Sequence, residues 1–383
     1  MKHCVVVLLS MLVAACASVP PSLQPPPLFN DHLFGAPSER IDASDVLALS
    51  PAMREFVATE ITNRLHVGGH RQGLLDALRS KDGLHLEYDA AITRNATQAF
   101  AVRAGNCLSL VIMTAAFAKE LGLTVRYQDV IVDEMWSRIG NVYMSIGHVN
   151  LSLSPRASSV GLGRRENTPM TIDFLPPRDA DGARARVIGE ETVIAMYMNN
   201  RAVESLTRNR LDDAYGWARE AIRQDPRFLT AYNTLGAVYW RHGNAAEAAR
   251  VFADVLEREP ANLQAMSNLV PVLNALGRTA DASELAGKLA RMEPNPPFSF
   301  FNRGVAALQR GDFRAAKELF AKEVERAAYY HEFHFWLAIA SLGLGEIDEA
   351  RTHLAIAMDT STTRDDYDVY AAKLAGLKVS RIH

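Results

Sequence analysis

The sequence predicts an α+β domain followed by an all-α solenoid of stacked helix pairs. Three observations predict it. Prolines recur at Pro226, Pro260 and Pro294, 34 residues apart, a period at which helix-pair repeats are built. A nearly all-apolar segment, residues 108–118, follows a Gly105-Asn106 turn and stops at Gly122, as a buried helix with a left-handed end does. Two alternating segments, residues 124–132 and 142–153, come next and read as strands.

Composition bounds the partners. The chain has 383 residues, 48% of them hydrophobic, and a formal net charge of −3. That length fits two or three domains, and the near-neutral balance without a basic, aromatic-laced patch excludes nucleic acid as a partner.

The amino terminus speaks to location. Met1-Lys2-His3 is a short basic start, residues 4–12 are apolar but too few to span a bilayer, and Leu12-Val13-Ala14-Ala15-Cys16 ends in small residues before a cysteine. This resembles a bacterial lipoprotein signal. The resemblance implies that residues 1–15 are removed, that Cys16 carries lipid, and that residues 16–40, rich in proline, form a tether. An ordinary signal peptide and an uncleaved anchor are the other readings. Ala17 after the lipid-bearing cysteine implies the outer membrane, facing the periplasm, with the inner membrane as the other option. Of the three cysteines, Cys4 leaves with the leader, so Cys107 remains as the free thiol and no internal disulfide can form.

Along the folded part, Ser50-Pro51 predicts a helix start, with serine as cap and proline at the first position, and Phe56, Val57, Ile61 and Leu65 give its apolar stripe. A second helix is expected over residues 73–79. Two histidine pairs do not read as metal sites. His66 and His70 are separated by two glycines that spoil a helical ligand face, and His331-Glu332-Phe333-His334 falls one residue short of the zinc protease spacing. Asn95-Ala96-Thr97 matches a glycosylation acceptor, discounted in a bacterial setting.

The candidate site comes from the segment around Cys107. This residue opens the apolar helix, where backbone N–H groups and the helix dipole favour negative charge. Residues 133–141, with Trp136, read as a connection between the strands. On the second strand His148, Asn150 and Ser152 share one face, and Val149, Leu151 and Leu153 the other. A polar loop over residues 154–169 precedes a short strand, residues 170–174, in which Thr171 and Asp173 point one way and Ile172 and Phe174 the other. Cysteine as nucleophile needs a base, which histidine supplies near neutral pH, and a carboxylate fixes the imidazole tautomer. Cys107, His148 and Asp173 fill these three roles. The Cys107 N–H is one candidate oxyanion donor, and Gln98 a poor candidate for the second.

Gly105-Asn106-Cys107-Leu108-Ser109 with its apolar helix, then Gly147-His148-Val149-Asn150, then Ile172-Asp173-Phe174, resembles the transglutaminase-like domain of bacterial proteins. The separations, 148 − 107 = 41 and 173 − 148 = 25, suit that family. The resemblance covers residues 41–190 and implies a papain-type fold with the three residues in the order Cys, His, Asp. It implies no cofactor and does not choose among transferase, protease, amidase and inactive binding module.

In the second half, Tyr232-x2-Leu235-Gly236-x2-Tyr239, Ala248-x3-Phe252 and Pro260 follow the tetratricopeptide pattern, with tyrosine in place of the opening tryptophan. Small residues at 214, 248, 282, 316 and 350 keep the 34-residue step, which gives about five units over residues 191–362. Pro271 is expected to kink or shorten the third unit's first helix. Residues 363–383 are expected to form a closing helix with Tyr367, Tyr370, Leu374 and Leu377 against the last unit. Stacked helix pairs build a concave face suited to a peptide or protein partner; Phe298, Phe300, Phe301, Tyr329 and Tyr330 read as core. The sequence thus supports two functions. One is a lipid-anchored enzyme cutting or transferring amide bonds through Cys107, His148 and Asp173; the other is a noncatalytic envelope adaptor acting through its repeats.

Overall fold

A computed structural model describes residues 28–62, 69–79, 83–89, 92–139, 142–155, 169–174, 184–361 and 364–379. The leader, Cys16 and the residues before Leu28 lie outside them. Among the described residues no helix is long and apolar enough to cross a membrane.

The first half assembles helices α1 (Pro51–Phe56), α2 (Gly69–Arg79), α3 (Ala96–Val102) and α4 (Cys107–Glu120) around a sheet. Its strands are β3 (Thr124–Ile139), β4 (Val142–Ser154), β5 (Met170–Ile172) and β6 (Arg184–Ile188), in the order β5-β4-β3-β6 and antiparallel throughout. A separate parallel pair joins β1 (Glu87–Tyr88) to β2 (Ala104–Gly105). Ser50 caps α1, its Oγ accepting from the Met53 N–H at 3.2 Å. Every residue of α4 from Leu108 to Ala118 is buried, as a helix without a polar face requires. Val149, Leu151, Leu153 and Ile172 share its core.

One expectation is corrected here. Residues 133–139 continue β3 instead of connecting it: Met135 pairs with Ile146, Trp136 with Ser145 and Ile139 with Val142. The ladder shifts register between Val130 and Met135, so two segments of one hairpin are joined across a bulge. Acidic residues at 133 and 134 hide the strand from a pattern reading, because the bulge breaks the alternation.

The second half is helical: α5 (Glu190–Thr207), α6 (Leu211–Gln224), α7 (Leu229–His242), α8 (Ala245–Arg258), α9 (Leu263–Ala275), α10 (Thr279–Met292), α11 (Ser299–Gln309), α12 (Phe313–Arg326), α13 (His331–Gly343), α14 (Ile347–Asp359) and the closing α15 (Arg364–Val379). These make five antiparallel pairs and a cap. The turn inside each later pair holds a glycine at positive φ, Gly243, Gly277, Gly311 and Gly345, with Asn209 at the equivalent place in the first pair. Asparagine is the side chain best able to take that left-handed conformation. Between the helices of a pair the backbone comes close: a Cβ on Gly236 would stand 2.6 Å from the Phe252 ring, and one on Gly304 2.6 Å from Phe320.

Pro271 does not shorten its helix. α9 runs from Leu263 to Ala275 with the proline inside it, held by packing of Val272, Leu273 and Leu269 in the core. In α15, Tyr370 is buried and Leu374 and Leu377 pack on the last pair, whereas Tyr367 lies outward, 37% exposed.

Residues 28–40 are a second difference. Expected as tether, they are strapped onto the solenoid. Phe34 stacks on Tyr215 with ring centroids 4.0 Å apart, and Tyr239 Oη donates to the Leu28 carbonyl at 2.8 Å while accepting from the Asn30 N–H at 2.9 Å. Ser38 donates through N–H and Oγ to Asp213 at 2.6 and 2.8 Å, and Glu39 accepts from Trp217 and Arg201. The two halves share one core, since α4, the sheet and α5 through α10 contribute to a single apolar cluster.

Candidate functional site

Cys107 is the first residue of α4, and its setting follows from the residues around it. Asn106 caps the helix: its Oδ1 accepts from the Ser109 N–H at 2.9 Å and from Ser109 Oγ at 2.8 Å. Its amide donates to Thr93 Oγ1 at 2.9 Å. Ser109 Oγ in turn accepts from the Arg94 N–H at 2.8 Å. Gly105 is required sterically, because a Cβ there would lie 2.6 Å from Ser109 Cβ. The turn is thus fixed from both sides, and the Cys107 thiol stays partly exposed while the helix behind it is buried.

β4 delivers His148. Its imidazole is 1% exposed, and Nε2 donates to Asp173 Oδ1 at 2.9 Å. Asn150, two residues on and hence on the same face, donates from Nδ2 to Asp173 Oδ2 at 2.9 Å. Both carboxylate oxygens of Asp173 are engaged, by the ring and by the amide.

The other ring nitrogen, Nδ1, is buried and makes no hydrogen bond of good geometry. The Cys107 thiol is nonetheless near enough to act on the imidazole. Burial pulls His148 down, but the hydrogen bond to Asp173 and the electrostatic influence of Cys107 and Asp173 outweigh it, and the group is raised to about 9. At neutral pH this ring carries its proton. Residues 107, 148 and 173 are therefore gathered at one place.

Two neighbours escaped the sequence reading. The Tyr88 side chain is half exposed, but its hydroxyl end lies against Cys107. Burial of that end pushes the phenol up to about 12, reinforced by the nearby Cys107 and partly offset by the Cys107 backbone. The strand of Tyr88 is two residues long and pairs with β2, which a pattern of alternation cannot show. Asn150 was visible as a facemate of His148, without its partner.

Gln98 is placed elsewhere. Its Oε1 accepts from the Asn95 N–H at 3.2 Å in a capping box of α3, and it lines a polar pocket with Glu39, Asp42 and Arg201. Among the described residues no group of three or more histidine, cysteine, aspartate or glutamate side chains could hold a metal. His331 bonds Tyr370 Oη at 2.8 Å, and His334 bonds His353 at 2.9 Å and the Ala328 carbonyl at 2.9 Å. His66 and residues 156–168 of the expected loop lie outside the described residues, as does Cys16.

Comparison with known proteins bears on the second half. Profiles of the tetratricopeptide repeat match residues 239–298 and 301–361. The chain is 22% identical over 189 residues to the TPR repeat-containing protein YvcD of Bacillus subtilis (strain 168), a match covering 49% of this chain and 38% of that one. The chain thus spans about two-fifths of that relative's length. Among solved structures, TTC0263, a thermophilic TPR protein of Thermus thermophilus, is 20% identical, with 47% of this chain and 99% of that one covered and a TM-score of 0.33. Yeast Tom70 is 15% identical, with 49% and 40% covered and a TM-score of 0.37. The second half carries tetratricopeptide repeats.

Proposed function

We propose that the chain is a repeat-built scaffold for protein–protein interaction, with the first half fastened to the solenoid as a second working part. The observation that carries this reading is the run of five helix pairs with its 34-residue step, an architecture whose first helices form an extended face for a peptide or protein. Substitutions on that face abolish partner capture and the cellular phenotype, whereas Cys107→Ser leaves both intact. If Cys107→Ser loses the phenotype while capture persists, the scaffold reading fails as a complete account.

A second reading is favoured by one specific observation, the His148–Asp173–Asn150 arrangement beside Cys107. In it the first half is a transglutaminase-like thiol domain. The Cys107 sulfur attacks an amide carbonyl, the proton on His148 passes to the departing amine as the C–N bond breaks, and an acyl-thioester remains. Water or an amine then attacks the thioester, His148 takes that nucleophile's proton, and the thiolate leaves. Asp173 accepts from Nε2 throughout and Asn150 holds Asp173. The test is the alkylation rate of Cys107 against pH in protein lacking residues 1–16, alongside His148→Ala. A rate that falls or changes its pH profile in the variant supports the thiol domain; identical profiles reject it.

Attachment to the bacterial envelope through lipid on Cys16 belongs to the same proposal. Mass spectrometry of membrane-extracted protein should find a lipid-modified amino-terminal cysteine, and an unmodified Met1 terminus would reject it.

A further inference from the structure

The far end of the β3–β4 hairpin reaches the solenoid, and the contact there is of an unusual kind. Asn268 in α9 accepts the Tyr143 backbone N–H on Oδ1 at 2.9 Å and donates from Nδ2 to the Tyr143 carbonyl at 3.0 Å. Gln264, one turn earlier, donates to the same carbonyl at 2.9 Å. The Tyr143 ring leans on Phe298 with centroids 6.0 Å apart. One residue's whole backbone pairing capacity is taken by two side-chain amides. An amide clamp of this form reads extended backbone and is blind to side-chain sequence, while the aromatic cluster of Phe298, Tyr330 and Phe333 selects a ring.

With Tyr143 in place Asn268 and Gln264 are 3% and 5% exposed, so both amides are withdrawn from water and paired by one stretch of extended backbone. The position of Asn268 recurs at the 34-residue step as Thr234 and Asn302, which continues a polar rung along the first helices to either side of the hairpin.

The same strand leads to the candidate site. Tyr143 precedes His148 by five residues, about 17 Å of strand. Between them the ladder breaks: Val130 pairs with His148 and Met135 with Ile146, leaving four residues of β3 opposite Gly147. Gly147 is exposed and nothing lies within 4 Å of its would-be Cβ. The arm is therefore joined to the sheet at a bulge next to His148.

We infer that the face formed by Gln264, Asn268 and Phe298 binds an extended peptide segment of a protein partner carrying an aromatic side chain. The chain's own Tyr143 fills that face until the partner segment replaces it, and the exchange moves the strand that holds His148. The last clause rests on the thiol-domain reading; the binding face does not.

The test uses the full chain lacking residues 1–16 and a fluorescein-labelled peptide of residues 138–147, RIGNVYMSIG. A tethered arm competes at an effective concentration on the order of millimolar, so wild type binds the free peptide weakly. Tyr143→Ala binds it at least tenfold more tightly, and adding Asn268→Ala or Asn268→Asp removes the gain, as does alanine in place of the peptide's tyrosine. Equal binding by wild type and Tyr143→Ala, or binding that survives both Asn268 variants, overturns the inference. Saturating peptide should also change the Cys107 alkylation rate at least threefold. If it binds but leaves that rate unchanged while His148→Ala alters it, the linkage is overturned and the binding face stands. If neither peptide nor His148→Ala alters the rate, the thiol-domain reading fails, again without touching the binding result.

Discussion

His148 Nε2 and Asp173 Oδ1 stand 2.9 Å apart, with the ring buried and the carboxylate 22% exposed. A protonated imidazole in this position is stabilised by folding, because its charge has partners there that the unfolded chain lacks.

The pH dependence of stability follows from the sign of that shift. The folded-state value of His148, about 9, is above the ordinary value of 6.5. Its contribution is therefore fully present below about pH 6.5 and is lost as pH rises through 9. Its size is on the order of 3 kcal/mol, at about 1.36 kcal/mol per unit. Urea midpoints of wild type minus those of His148→Gln, measured from about pH 5 to 10, should fall across this window; a flat difference would show that the ring gains nothing from Asp173.

Asp173→Asn should bring the imidazole down. Burial remains while the carboxylate charge goes, and only the influence of Cys107 still opposes it, so the titration of His148, followed by its ring proton resonances, is expected to move down from about 9. Asn150→Ala should lower it less and destabilise the fold by about 1.5–3 kcal/mol, the range for a hydrogen bond to a charged group.

Gly105→Ala tests the turn before Cys107. The new methyl would press on Ser109 Cβ at 2.6 Å, against a serine held by Asn106 and Arg94. A cost of about 1–3 kcal/mol is expected from overpacking, read in the thermal midpoint. Cys107→Ser, by contrast, should leave stability within about 0.5 kcal/mol of wild type.

Gly236→Ala separates propensity from packing. In an exposed helix the change would stabilise by about 1 kcal/mol. Here the methyl meets the Phe252 ring at 2.6 Å, so net destabilisation is expected in urea titrations, and Gly304→Ala against Phe320 should behave alike.

What was legible in the sequence was what a local period encodes. The 34-residue step located the helix pairs, and the strand alternation put His148 and Asp173 on faces that meet. Residues 133–139 were misread because a bulge erases the period-two pattern that identifies a strand. The helix runs on through Pro271 because packing of Leu269, Val272 and Leu273 overrides a local breaker. The strap over residues 28–40 and the clamp on Tyr143 depend on partners more than 100 positions away, which no local pattern carries.

The strap has a mechanical consequence. Leu28, Asn30, Phe34, Ser38 and Glu39 are bonded or stacked onto side chains of α5, α6 and α7, not onto the sheet. Any pull on the chain ahead of Leu28 is therefore taken up first as shear across Tyr215, Tyr239 and Asp213, and His148 sits off the line of load. A moored molecule would hang by its solenoid, with the thiol half free of tension.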